Sequence, residues 1–212
     1  YPGALEVAPL GALHPSVLHI VTLDGSPIES FADLKGKRLA VGPAGGGTLS
    51  FLNRLLEVYG MSPSDITPSF LSYADGFSQL SDGNVDAALA LSGYPASAVM
   101  QTEATNKLKF VTIADDKLAE MLEKYPYYSE VTLPKDVYNL DQDAVVLGVN
   151  NVLIAPASMD EDRAYAITKA VYGNLDAFGE ENANAKQIDI EDSRKLAVPL
   201  HPGAQRYFDE TK

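Results

Sequence analysis

Apolar positions along the chain change period repeatedly, and each period predicts an element. Residues 17–23 form an apolar, β-branched run between Pro15 and the turn Asp24-Gly25-Ser26-Pro27, which predicts a strand followed by a loop. A helical turn over 30–34 leads into a compact strand at 38–42. Leu49, Leu52, Leu55, Leu56 and Tyr59 then recur on one helical face, with Gly60 placed where a left-handed residue ends a helix. The alternation continues with a strand at 66–71, a helix at 75–80, a strand at 85–91, a helix at 95–104 that starts on proline, and a strand at 108–113. Parallel strands need such crossovers, which are nearly always right-handed, so 35–113 predicts an open α/β lobe.

The remainder is richer in helix. Leu118, Met121 and Leu122 share a face over 116–125, and the valines of 144–155 favour an extended connection. Ser158 and Glu161 fit a capping box for a helix carrying Ala164, Ile167, Val171, Leu175 and Phe178 and closing at Gly179. Residues 180–187 form a polar run of the kind found in disordered segments, and His201-Pro202 open a last helix.

Composition narrows the chemistry. The 212 residues contain no cysteine, which removes disulfides and thiolate sites, and a net charge of −13 argues against nucleic acid as a partner. That charge is unevenly spread: residues 35–113 balance six basic against six acidic side chains, and the whole excess lies outside them. It reads either as two regions of different character or as well-solvated flanking helices. The spacing of His14, His19 and His201 suggests no zinc site, and these read as surface or packing residues. Asp141, Asp143 and the run Asp160-Glu161-Asp162 lack the spacing of a calcium loop, and no Ser-His-Asp set can be assembled. No metal, cofactor or catalytic residue is expected.

The candidate site is the glycine turn Gly42-Pro43-Ala44-Gly45-Gly46-Gly47-Thr48 between a strand and a helix. Gly45, Gly46 and Gly47 leave peptide N–H groups open to a ligand, the helix start adds unpaired donors and partial positive charge, and Thr48 offers a hydroxyl. A tight turn without ligand fits the same residues. Thr48 stands where a phosphate loop has lysine, so a nucleotide triphosphate site is not expected, and the dinucleotide fingerprint is also unmet. Ser92, Gly93, Tyr94 and Pro95 form a second strand-to-helix turn at the same end of the sheet, readable as a ligand contact or as an ordinary helix start.

Four ordered blocks, DLKGKRLAVGPAGGGT, DGNVDAALALSGYPASAV, KYPYYSEVTLPKDVY and PLHPGAQRYFDE, resemble the TAXI family of TRAP-transporter solute receptors. The resemblance implies an α/β, two-lobe periplasmic-binding-protein (type II) fold. Residues 1–34 would form part of lobe I and the hinge, 35–113 lobe II, and 114–212 a return to lobe I, with lobe I incomplete and the strand at 18–23 short of sheet neighbours. It also implies a periplasmic, monomeric, non-enzymatic receptor that hands a small carboxylate such as glutamate to TRAP membrane subunits. The family's Ser-Gly-Thr falls on Gly46, Gly47 and Thr48, with Gly46 in place of serine; its Gly-x-Pro falls on Gly93, Tyr94 and Pro95; and Tyr138 matches a family tyrosine. A ligand-sensing domain of a larger regulatory protein and an enzyme on a related fold are the alternative functions.

Overall fold

The computed structural model describes residues 6–211. In chain order the elements are β1 (Val7–Leu23), β2 (Arg38–Ala40), α1 (Gly47–Val58), β3 (Thr67–Ser69), α2 (Tyr73–Ser81), β4 (Ala87–Ser92), α3 (Ser97–Glu103) and β5 (Leu108–Phe110). They continue with α4 (Asp115–Lys124), β6 (Ser129–Leu133), β7 (Ala144–Pro156), α5 (Glu161–Tyr172), α6 (Leu175–Glu181), α7 (Ile190–Arg194) and α8 (Pro202–Glu210). Two compact units result, one within Tyr1–Pro15 and Asn150–Lys212, the other Ser16–Val149. The chain passes between them inside β1 and inside β7, at 15/16 and 149/150. No helix among the described residues is long and apolar enough to cross a membrane.

In Ser16–Val149 the strands lie in the order β3-β2-β4-β1-β7-β6, with β5 also pairing β1. The β2–β3 and β2–β4 pairs are parallel, as the crossovers require, while β1 runs antiparallel to β4 and β5. Far from lacking neighbours, the strand at 18–23 sits in the middle of the sheet.

Side chains alternate between faces with a period of two. Leu18, Ile20, Leu39, Val41 and Leu89 point into one core with Phe51, Leu52, Leu55 and Leu56 of α1 and Leu118 and Met121 of α4. Each such side chain contributes about 1.5–3 kcal/mol by leaving water. Val17, Val21, Ala40, Ala88 and Ala90 point the other way, onto Phe77 and Leu80 of α2 and Val99 of α3. Those alanines let α2 come close: a Cβ on Gly76 would stand 2.9 Å from Ala40 Cβ.

Helix α1 follows its sequence signals to the end. Tyr59 caps it, Gly60 takes φ +66°, and the N–H groups of Gly60 and Met61 return to the carbonyls of Glu57 and Leu56, satisfying the last turn. Four expectations are corrected. Helix α3 starts at Ser97, two residues after Pro95, because Ala96 is extended and donates its N–H to Tyr138. Asp160 rather than Ser158 caps α5, accepting from the Arg163 N–H, since 156–159 is still a turn closed by Met159 N–H on Pro156 O. The helix expected to run to Phe178 breaks at Gly173 and resumes as α6, and the polar run at 180–187 contains a 3-10 turn (Ala183–Gln187) started by the Asn182 side chain.

The other unit is held by Leu10, Ala155, Ala164, Tyr172, Ala204, Tyr207 and Phe208. His201 caps α8 by accepting from the Gly203 N–H, and α8 lies directly on the start of α5. A Cβ on Gly203 would fall 2.1 Å from the Glu161 carbonyl oxygen and 2.7 Å from the Tyr165 nitrogen. Backbone cannot yield as a side-chain tip does, so Gly203→Ala is expected to cost about 3 kcal/mol. Urea unfolding followed by circular dichroism checks it, and an unchanged midpoint would contradict this account of the α5–α8 contact.

A strand-to-helix cradle as the candidate functional site

Strands β2 and β4 are parallel, with Ala40 opposite Ala88, so their carboxyl ends emerge at one edge of the sheet. The turn at 42–48 leaves β2 there and the turn at 92–95 leaves β4. Gly42 and Gly45 take φ of +78° and +75°, and Gly46 N–H donates to Pro43 O at 3.1 Å. Gly46 is the N-cap of α1 and has no side chain to accept the first-turn donors. Among the described residues nothing accepts from the N–H groups of Gly47 and Thr48, as expected for a helix start. No acidic side chain lies in that first turn to neutralise the helix dipole. Gly45 faces open space, Gly47 is exposed, and a Cβ on Gly47 would meet Leu91 Cδ2 at 3.0 Å, which puts the two turns side by side.

Thr48 is fully buried, and its hydroxyl lies 2.7 Å from the Tyr73 hydroxyl, which in turn donates to Leu91 O at 3.2 Å. Tyr73 therefore ties the first turn to the end of β4. A Cβ on Gly42 would strike the Tyr73 ring at 2.9 Å. With the Thr48 hydroxyl engaged inside, the face offered outward at this turn is peptide.

In the second turn Ser92 Oγ donates to Gly93 O, Gly93 is buried, and Tyr94 and Pro95 are joined by a cis peptide bond. Ala96 N–H donates to the Tyr138 hydroxyl at 2.7 Å. Tyr138 itself is 2% exposed, packed against Phe110 and His19, and its hydroxyl lies 2.8 Å from His19 Nε2. Desolvation pushes the Tyr138 phenol up to about 12 and the buried His19 imidazole down to about 4, the latter partly opposed by hydrogen bonds to Ala90 and Val17.

Gly45, Gly46, Gly47 and Thr48 are thus brought together with Ser92, Gly93, Tyr94 and Pro95, while Tyr138 stands behind the second turn. Tyr73 and His19 are the members the sequence reading missed. The signal for Tyr73 was its place after the third parallel strand; for His19 it was an imidazole at an odd position between Val17 and Val21. Among the described residues no group of three or more His, Cys, Asp or Glu could hold a metal ion.

Residues 5–211 match the family model described as NMT1-like. Over 87 residues, 41% of this chain and 27% of the relative, the chain is 34% identical to the putative aliphatic sulfonates-binding protein of Escherichia coli (strain K12). The crystal structure of the periplasmic aliphatic sulphonate binding protein SsuA from Escherichia coli superposes with a TM-score of 0.54 at 19% identity, covering 97% of this chain and 60% of that one. The chain spans less than two thirds of the length of each. The likeness supports the α/β, two-lobe type II periplasmic-binding-protein fold expected above.

The TAXI assignment is corrected by these matches. The four sequence blocks lie inside a match to a differently described family, and the two relatives are named as aliphatic sulfonate-binding proteins, one of them putatively. Glutamate, a carboxylate ligand and TRAP membrane subunits are withdrawn with it. The match from residue 5 to residue 211 makes this chain a member of the NMT1-like family.

Proposed function

We propose that the chain is the ligand-holding part of an extracytoplasmic solute-binding receptor, that it takes a small sulfonate at the edge formed by 42–48 and 92–95, and that it serves an ABC-type membrane transporter. The observation that carries this reading is the start of α1: an exposed Gly47 whose N–H has no acceptor among the described residues, glycines at 45–47, and no acidic side chain in the first turn. Such a helix end favours an anion by charge and by hydrogen bonding together. A sulfonate has three oxygens and no proton to lose near neutrality, so it suits donors that come from backbone alone. Phe70, half exposed and following β3 at the same edge, and Tyr94 offer apolar surface for an alkyl group. The relatives above carry the names of aliphatic sulfonate-binding proteins, one of them periplasmic, which supports both the ligand class and the extracytoplasmic site. The reading is one of capture and release, with no catalysed step.

Two outcomes are expected. Ethanesulfonate or butanesulfonate at a hundred times its Kd adds about 2.7 kcal/mol to stability, read as a rise in Tm. A flat response to every alkanesulfonate would refute the ligand class. Replacing the cap, Gly46→Asp, puts a carboxylate where the anion would sit; it supplies a favoured helix cap, while its Cβ, 3.1 Å from Pro43 O, offsets that gain, so intrinsic stability stays within about 1 kcal/mol. The ligand-induced rise in Tm then disappears; if it survived, the cradle at α1 would not be the anchor.

A further inference from the structure

His19 stands on the inner face of the sheet at a position that alternation reserves for apolar side chains, between Val17 and Val21 and directly opposite Ala90. It has no access to solvent, so both ring nitrogens must find partners inside. Nδ1 lies 3.1 Å from Val17 O and 3.2 Å from Ala90 O. Carbonyls only accept, so Nδ1 carries the hydrogen and Nε2 is the acceptor. Nε2 meets the Tyr138 hydroxyl at 2.8 Å, and the Tyr138 oxygen accepts from the Ala96 N–H at 2.7 Å. Each donor and acceptor then has one role, in a chain running from Ala96 through Tyr138 and His19 to Ala90.

The two ends of that chain bracket the second turn of the candidate site. Ala90 lies two residues before Ser92, and Ala96 follows Pro95. We propose that His19 and Tyr138 are positioning residues for the ligand site, clasping the 92–95 turn from within the core, and that the ligand meets the turn and not the tyrosine. The proposal rests on the reading of 42–48 and 92–95 as the binding edge. Tyr138, buried against Phe110 and His19, has its oxygen occupied on both sides, which leaves it no direct role with a solute.

The clasp depends on the neutral imidazole. Once Nε2 gains a proton it can no longer accept, and the Tyr138 O–H loses its acceptor in a site without water contact. Among the described residues, Val17, Ala90, Phe110 and Tyr138 stand against the ring, the phenol is its one titratable contact, and no charged side chain contributes to the shift of His19. Lys109, the neighbour of Phe110 on β5, is paired with Glu29. Because the imidazole is pushed down to about 4, against 6.5 as an unperturbed group, protons bind the unfolded chain more readily between those values. The clasp's contribution is therefore full above about pH 6.5, falls with acidification below it, and is gone once His19 is charged.

The test is nuclear magnetic resonance on the 15N-labelled chain, with ethanesulfonate as probe. Long-range imidazole spectra should show Nδ1 protonated and Nε2 bare at pH 7. On acidification, the amides of Gly93, Tyr94 and Ala96 should move in step with His19, and that of Gly45 should not. In Tyr138→Phe the same three amides should shift and exchange about tenfold faster, and ethanesulfonate affinity should fall about tenfold, the size expected for one orphaned buried donor. Amides at 93–96 that ignore both the titration and the substitution overturn the clasp, as does a Nε2-protonated tautomer. Should Tyr138→Phe fail to fold, the titration of the unaltered chain decides alone. If the clasp signatures hold while ethanesulfonate leaves every amide of the unaltered chain in place, the positioning of the turn stands and the ligand proposal falls.

Discussion

The pairing of β4 with β2 on one side and β1 on the other is the constraint on which the candidate site depends. Parallel to β2, it sets the carboxyl ends of both strands at one edge. Antiparallel to β1, it puts Ala90 across from His19 and Leu91 across from Leu18. The residues Ala87-Ala88-Leu89-Ala90-Leu91 then alternate between two cores, with Ala88 and Ala90 toward α2 and α3, and Ala87, Leu89 and Leu91 toward α1. The last carbonyls of the strand receive the two ties that hold the turns: Leu91 O from Tyr73, and Ala90 O from His19. A slip of one residue in this strand would reverse its faces and detach both ties together.

Those ties explain how a site made largely of backbone can be kept in shape. Glycines at 45–47 give access to peptide donors but contribute no side chain to hold themselves in place, and their conformational freedom opposes order. The holding is delegated to two tyrosines that arrive from elsewhere in the sequence, Tyr73 behind the first turn and Tyr138 behind the second. Each uses the polar end of a large apolar side chain, so the same residue fills core volume and fixes a loop. Arg54, the basic residue of α1, faces away from this task and lies over the rings of Tyr125, Tyr127 and Tyr128.

Sequence patterning revealed the elements between 35 and 125 because their signals were local. Glycine at 60 and the apolar face of α1 report on the turn in which they stand. The full length of β1 was hidden by Pro15, which reads as the start of the strand; in the structure β1 runs through it from Val7, and Gly11 has φ +153° and lies against the Tyr172 hydroxyl, a contact 161 positions away along the chain. The break between α5 and α6 was hidden for the opposite reason. Ile167, Val171 and Leu175 keep one period because both helices press on one core, so the pattern runs straight through the gap. At the candidate site, the glycine turn is visible in the sequence as a strand-to-helix connection. The parts played by Tyr73 and His19 are not, since each is defined by partners that only the sheet register brings near. The four ordered blocks pointed to the wrong family: all of them lie inside the match to the NMT1-like family.

The double passage of the chain between the two units bears on how the molecule assembles. Ser16–Val149 is continuous in sequence, whereas the other unit draws β1 residues from one side of it and α5 to α8 from the other. On a ribosome the continuous unit can complete its sheet while the later helices are still unsynthesised, since domains tend to fold as they emerge. The discontinuous unit must wait and then close across everything between. A preassembled insert shortens that closure to the distance between two neighbouring strands, so much of the loop entropy is removed before the last helices arrive. Damage to the inserted sheet would in this way delay a unit whose own residues are intact.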